Sequence, residues 1–401
     1  MSDALPQALV DHAGSLLAEL MQFEHPADQV VQYYTKRHRR LGARDRAQLA
    51  DVVFGVLRHL RRVQAAATDA GDADVLIAVW LSGAWQRVDA AGFGAGVAAD
   101  MPDWLLARWP WADTPAEAQA MAEAFNQPAP LDLRVNVLRG KRDAVRAALA
   151  ADGIETTPGR WSPLALRVVG KPALQRHPLM ADGSLEVQDE GSQLLGMLVG
   201  ARRGELVVDF CAGAGGKSLQ LGATMRNAGR VHAFDVSAGR LSELALRAKR
   251  GGLSNIFPMA IADEHDPRLQ RLAGKADRVL VDAPCSGLGT VRRAPDLKWR
   301  CRAEDIAPRV AAQQSILAAA AALVKPGGVL VYATCSVLAA ENEAVVADFL
   351  ATHPSFSLDP ALPLLARQGA ALPPDARDTL HLDPLHHATD GFFAARMVRQ
   401  A

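Results

Sequence analysis

The chain has 401 residues, 49% of them apolar and 22% charged, with Lys+Arg and Asp+Glu both at 44 and so no net charge. That length exceeds one ordinary domain of roughly 100–200 residues, the apolar share supplies real cores, and the zero balance excludes a uniformly basic nucleic-acid binder, so any basic surface is local. Four cysteines are too few for a disulfide framework, and the longest apolar run, ILAAAAALV at 316–324, is too short to span a bilayer.

The first stretch carries Asp3 (outside the residues the structure describes), Asp11, Glu19 and Glu24 and lacks the pattern of a secretory signal; a cytoplasmic protein with free thiols is expected. Up to about residue 126 the chain reads as helices. ADQVVQYYTKRH, RDRAQLADVVFGVLRHLRRVQAAATDA and DADVLIAVWLSGA place apolar residues three and four apart. Basic residues outnumber acidic ones there, and Arg58, Arg61 and Arg62 are candidates either for a solvated helical face or for contacts to a phosphate backbone. Pro128 and Pro130 mark a boundary. From 127 to 189, LDLRVNVL, RDAVRAALAADG and LALRVVG predict strand, helix and strand in a small α+β segment.

From 190 to 401 strands and helices alternate. GELVVDF (204–210), GRVHAFDV (229–236), IFPMAIAD (256–263), ADRVLVDAP (276–284) and GGVLVYATC (327–335) are β-rich runs separated by helical ones, and FSLDP and GFFAARMVR offer closing strands. The pattern predicts an α/β, Rossmann-like fold with a mostly parallel, doubly wound sheet. It follows the small α+β segment and the all-helical N-terminal domain.

The first of these strands runs into CAGAGGKS and then a helix. A phosphate-binding Walker loop needs Gly where Cys211 stands, and a dinucleotide fingerprint needs Gly where Ser218 stands. A nucleoside cofactor without a long phosphate tail remains, of which S-adenosylmethionine is the common case. Cys211, Ala212, Gly213, Ala214, Gly215, Gly216 and Lys217 would form its loop. Asp235 at the end of the second strand can accept ribose hydroxyls, and Asp263 at the end of the third can reach the adenine amino group. With Asp209 and Asp282 these aspartates fall near the ends of successive strands, where open α/β sheets bind ligands.

Two stretches share a pattern: VLVDAPCSGLG (279–289) and VLVYATCSVLAA (329–340) each run from an apolar strand into Cys-Ser. A lone cysteine there reads as a small buried hydrophobe. As a pair on neighbouring strands, Cys285 and Cys335 are expected to face each other beside the cofactor. No Cys-x-x-Cys spacing or matched histidines support a metal. Methylating a ring nitrogen or an oxygen needs no thiol, whereas carbon 5 of a pyrimidine becomes nucleophilic only after a nucleophile has added to carbon 6, and a thiolate can add and later leave. Asp282, three residues before Cys285, is the candidate acid or donor at ring nitrogen 3.

DFCAGAGGKS, VDAPCSGLGTVRRAPDLKW, YATCSVLAAENE, VQDEGSQL and TDGFFAARM together closely resemble the Sun-domain RNA cytosine-5 methyltransferases of the ribosomal RNA methyltransferase B type, from about residue 128 to the end. The resemblance implies a class I methyltransferase in which Cys335 attacks, Cys285 assists product release, and Asp235, Asp263 and Asp282 line the S-adenosylmethionine site with the glycine-rich loop. It implies an RNA substrate, small-subunit (16S) ribosomal RNA ahead of transfer RNA; the sequence itself adds the expectations of no metal, no membrane partner and a monomeric enzyme. The helical region, chiefly through DRAQLADVVFGVLRH, looks like an antitermination-factor-type RNA-binding domain. The chain departs from the family pattern at Gly213-Ala214, where Ala-Pro is usual, and at Ala339-Ala340, where Pro-Glu is usual. Arg292, Arg293, Lys298 and Trp299 follow Cys285 and read either as a solvated loop or as contacts to RNA backbone and base. A non-catalytic RNA-binding assembly factor on the same fold is the rival from another class. An amino-group methyltransferase would carry Asn/Asp-Pro-Pro-Tyr where this chain reads Asp282-Ala283-Pro284-Cys285.

Overall fold

Helix-spaced leucines and valines build the first part of the computed structural model, which describes residues 5–111, 113–370 and 372–401. Helices span Gln7–Leu20, Ala27–Arg37, Ala43–Arg58, Leu60–Ala66 and Ala73–Ser82. In Ala43–Arg58 the residues Leu49, Val53, Val56 and Leu57 recur every three or four positions and are all buried, packing with Leu16, Leu17, Leu76 and Ile77. The long helix expected after Ala43 is two: it breaks at His59, whose Nδ1 lies 3.0 Å from Oδ2 of the buried Asp100.

This helical unit contains a second piece of chain. Residues up to Ala129 form one unit with Gly287–Asp305, while Pro130–Ser286 and Ile306–Ala401 form the other. Sequence order hid this, because the second piece follows Cys285 directly.

In the second unit a four-stranded antiparallel sheet comprises β1 (Asp132–Val135), β2 (Thr156–Pro158), β3 (Ala165–Val168) and β4 (Leu185–Val187), in the order β2-β3-β1-β4. The helix Arg142–Ala151 closes its apolar face, with Val145 and Leu149 buried alongside Leu133, Leu166 and Leu185. The expected strand–helix–strand is present, and β2 and β4 are additional.

The larger sheet holds β5 (Leu206–Asp209), β6 (Arg230–Asp235), β7 (Ile256–Ala260), β8 (Ala276–Asp282), β9 (Val324–Thr334), β10 (Phe356–Leu358), β11 (Leu380–Leu382) and β12 (Phe392–Arg399). Its order is β10-β12-β9-β8-β5-β6-β7, with β11 pairing β12. From β7 to β9 every pairing is parallel; β12 runs antiparallel to β9, β10 and β11. Alternate residues enter two different cores: Val207, Leu280 and Val331 one, Val208, Val279, Val281, Leu330 and Tyr332 the other. Both faces are therefore covered, which accounts for the nearly continuous apolar runs of β8 and β9. The sheet is Rossmann-like and mostly parallel, and the region before it is helical, as the sequence predicts. Among the described residues no helix is long and apolar enough to cross a membrane.

Candidate active site

The strand ends of the large sheet converge on one edge. Asp209 closes β5, Asp235 closes β6, Asp282 closes β8 and Thr334 closes β9. Between β5 and the helix Gly216–Thr224 runs the glycine-rich loop. Gly215 has φ +85°, and a Cβ there would lie 2.0 Å from Leu244 Cδ1, so only glycine fits on both counts. Four neighbours pin the loop. The Gly213 N–H donates to Asp235 Oδ2 (2.8 Å), the Ala212 N–H to the Phe234 carbonyl (2.8 Å), Arg247 to the Ala214 carbonyl (2.6 Å) and Arg134 to the Gly216 carbonyl (2.5 Å). Arg134 comes from β1 of the small sheet and is buried, and burial pulls its guanidinium down to about 10.

Against this loop lies a pocket of about 190 Å³ lined by Cys211, Asp235, Val236, Glu264, Asp282 and Pro284, among others. Asp235 accepts the Gly213 and Ser237 N–H groups, one on each oxygen, and a carboxylate of about four acceptor sites keeps capacity for two hydroxyls. The pocket and this carboxylate fit the nucleoside end of S-adenosylmethionine. Asp263 does not line it. β7 ends at Ala260, and the exposed Asp263 carboxylate accepts the His265 N–H (2.8 Å) in a local turn. The acid that lines the pocket is Glu264, which the sequence reading passed over. Burial, with nearby carboxylates, raises the Cys211 thiol well above the usual range.

Two polar contacts, one of them an ion pair, lie at these strand ends. Asp209 is buried, accepts the Ser218 hydroxyl at 2.6 Å, and is pushed up by burial to about 7; its Oδ1 has no hydrogen-bond partner among the described residues. The Lys217 ammonium donates to Asp282 Oδ2 at 2.6 Å. Burial alone would lower it, but Asp282, Asp209 and Cys335 raise it further, so it stays charged.

Beside Asp282 stand the cysteines. β8 and β9 are parallel neighbours with Asp282 opposite Ala333, which brings Cys285 and Cys335 to the same edge. Their sulfurs lie 3.4 Å apart. The adjoining serines are buried: the hydroxyls of Ser286 and Ser336 both reach Glu341, which is itself fully buried. Glu341 was not singled out from the sequence; its only signal there was the ENE text that follows Cys335.

The basic residues expected to hold RNA need correcting in part. Lys298 is 1% exposed, and its ammonium donates to the Arg58 carbonyl (2.8 Å), the Asp100 carbonyl (2.6 Å) and Asn126 Oδ1 (2.6 Å). Burial draws it down to about 7, yet three oxygens match the three N–H groups of an ammonium. Lys298 is thus a peg inside the helical unit and presents no charge to solvent. Trp299 is half-buried against the helical core and donates its indole N–H to the Leu57 carbonyl (2.7 Å), so it is no open stacking platform. Arg292 is buried and donates to the Pro128 carbonyl at 3.3 Å. Arg58 donates to the Arg292 carbonyl (3.1 Å), Arg62 pairs with Asp100 and Arg61 with Asp103 (2.6 Å). Arg293 is exposed. Among the described residues no group of His, Cys, Asp and Glu is arranged to hold a metal ion.

The family model described as 16S rRNA methyltransferase RsmB/F matches residues 197–398, and a ferredoxin-like domain model of RsmF/B-like methyltransferases matches 101–175. The probable ribosomal RNA small subunit methyltransferase B of Synechocystis sp. is 36% identical over 299 residues, covering 74% of this chain and 66% of the relative. The enzyme of that name from Erwinia tasmaniensis is 33% identical over 355 residues, covering 88% and 74%. The chain thus spans about two thirds to three quarters of the length of these relatives. Among solved structures, PH0851 superimposes with a TM-score of 0.79 at 25% identity, covering 98% of this chain and 99% of that one. A methyltransferase homolog protein from Pyrococcus horikoshii does so at 0.62 and 30% identity, covering 75% and 99%.

Proposed function

The chain belongs to the 16S rRNA methyltransferase RsmB/F family, and on that footing we propose that it methylates carbon 5 of a cytosine in RNA, with small-subunit ribosomal RNA as the substrate and S-adenosylmethionine as the donor. The observation that carries the reading is the pair of thiols 3.4 Å apart at the ends of adjacent parallel strands, next to the pocket under the glycine loop. Transfer to nitrogen or oxygen has no use for that pair.

S-adenosylmethionine, when bound, supplies an electrophilic methyl group; the Asp235 carboxylate and the 211–217 loop would hold its nucleoside end. Cys335 as thiolate adds to carbon 6 of the cytosine, forming a carbon–sulfur bond and moving an electron pair through the ring to carbon 5. Charge that reaches ring nitrogen 3 meets Asp282, whose carboxylate accepts from the charged Lys217 ammonium, and the ammonium's proton, relayed through Asp282, can be donated there. After methylation the Cys285 thiolate, or a water it holds, takes the carbon 5 proton, the C–H electron pair re-forms the carbon 5–carbon 6 double bond, and the carbon 6–sulfur bond breaks to release Cys335 as a thiolate. Cys285, in contact with that sulfur, helps break the bond. To admit the base, the cytosine is unstacked from its neighbours. The helical unit supplies further RNA contact in this reading, and the exposure of Arg293 supports it as one phosphate contact. A cytoplasmic, monomeric enzyme fits this substrate.

Bisulfite sequencing of RNA from a strain lacking the gene tests the reading. Loss of one 5-methylcytosine in 16S ribosomal RNA, restored by the wild-type gene, is expected; an unchanged pattern of 5-methylcytosine would overturn it.

A further inference from the structure

We propose that Glu341 is the positioning residue of the thiol pair: one buried carboxylate ties the two Cys-Ser turns together and so sets the separation of Cys285 and Cys335.

Each turn places a cysteine at the pocket edge and a serine behind it. Glu341 Oε1 accepts the Ser286 N–H at 2.8 Å and the Gln313 amide at 2.9 Å. Glu341 Oε2 accepts the hydroxyls of Ser286 and Ser336, each at 2.5 Å. Four donors fill the acceptor capacity of an ionised carboxylate, and charge-assisted bonds of this kind are the stronger ones. Residues from both turns therefore converge on one group. Ser286 and Ser336 also touch each other, at 3.1 Å.

The carboxylate is itself held. Tyr332 on β9 donates its hydroxyl to the Glu341 carbonyl at 2.6 Å. The next residue, Asn342, accepts from the Thr334 hydroxyl at 2.5 Å and donates to the Ser336 carbonyl at 3.0 Å. Gln313, from the helix Ile306–Ala321, bonds the Pro284 carbonyl at 3.0 Å as well as Glu341. Pro284 and Ser286 flank Cys285, and Thr334 and Ser336 flank Cys335, so this network holds the residues on both sides of each thiol.

The sheet alone does not do this. β8 pairs with β9 as far as Asp282 opposite Ala333, and the cysteines lie beyond that ladder. Past the last paired residue each turn needs its own anchor, and a shared anchor correlates the two. A separation of 3.4 Å between thiols on different turns then follows from a bond set rather than from chance packing. The inference rests on the proposed chemistry for its purpose, but its geometry is readable without RNA or methyl donor.

Dibromobimane gives that reading, since it fluoresces once two thiols a few ångströms apart have each displaced one of its bromides. On the full chain, wild type is expected to form the cross-link readily and Cys285→Ser to lose it. Glu341→Ala is expected to slow cross-linking about tenfold while alkylation of Cys335 by iodoacetamide, a one-thiol reagent, changes less than about twofold. Glu341→Gln keeps an acceptor for the Ser286 N–H and Gln313 and is expected to recover most of the rate. The paired change Ser286→Ala with Ser336→Ala leaves Glu341 in place and removes only the hydroxyl ties; it is expected to slow cross-linking in the same sense and carries the test if Glu341→Ala fails to fold by circular dichroism. Wild-type cross-linking in folded Glu341→Ala, or in the folded serine variant where the former is not folded, overturns the proposal. A slowed cross-link in a protein that never methylates RNA would instead leave the positioning role standing and the proposed function refuted.

Discussion

The sulfurs of Cys285 and Cys335 stand 3.4 Å apart although fifty residues separate them in the chain. Parallel pairing of β8 with β9 brings their strands together, and the chemistry proposed for them makes the two positions unequal.

Replacing Cys335 by alanine removes the attacking group and leaves the pocket lining intact. Methyl transfer to RNA is expected to fall by at least about 10⁴-fold, the scale on which loss of a covalent nucleophile is felt. Binding of S-adenosylmethionine, followed by calorimetry, is expected to change little. Near-normal turnover would refute the assignment.

Cys285→Ala predicts a different defect. Attack and methylation proceed while release is slowed, so a protein–RNA adduct should accumulate and survive denaturing electrophoresis in the presence of methyl donor. The adduct should disappear when Cys335→Ala is added. Free turnover without adduct would show that Cys285 has no part in release.

Lys298 and Arg293 separate packing from RNA contact. Lys298→Met strips a donor from two buried carbonyls and Asn126 and should cost about 3 kcal/mol of stability, the scale of buried partners left unpaired. Measured with folded protein, it should leave the salt dependence of RNA binding unchanged. Arg293→Ala should lower the slope of log affinity against log salt by about 1, as for one lost phosphate contact. Thermal melts and RNA titrations at three salt concentrations check both, and the reverse pattern would restore the sequence-based reading of Lys298.

Asp209 predicts a pH effect. Burial lifts its carboxyl from 3.8 to about 7 in the fold. Folding therefore takes up a proton between those values, and this group's stabilisation is full below about pH 4 and lost as the pH rises through about 7. Asp209→Asn keeps an acceptor for the Ser218 hydroxyl and cannot ionise. Its stability relative to wild type is expected to rise by about 2–4 kcal/mol from pH 4 to pH 8. Denaturant titrations at pH 4, 6 and 8 give the difference, and a constant offset would show that Asp209 does not titrate in this range.

What the sequence disclosed followed from local signals. Strand and helix periods alternate after residue 190, and the resulting strand order puts β8 beside β9, so the cysteine pairing was legible in the sequence. Asp235 was legible for the same reason, because it closes a strand. Asp263 was misplaced because β7 stops at Ala260 and the chain turns before reaching it. Lys298 was misread because RRAPDLKWR has the texture of a solvated loop, whereas its burial depends on oxygens of Arg58, Asp100 and Asn126, all far away in the chain. Glu341 escaped for a similar reason: half its donors belong to Ser286, on another turn.

The piece Gly287–Asp305 belongs to the helical unit although it is encoded after most of the large sheet. On the ribosome, the helices up to Ala129 emerge long before the lysine that fills their interior and the tryptophan that covers their core. They wait half-finished while the β-strands from β1 to β8 are made. Maturation of the first part of the polypeptide is thereby scheduled by synthesis of a later one, and a nascent chain halted before Asp305 would hold an N-terminal unit that is helical, incompletely packed and exposed to proteases.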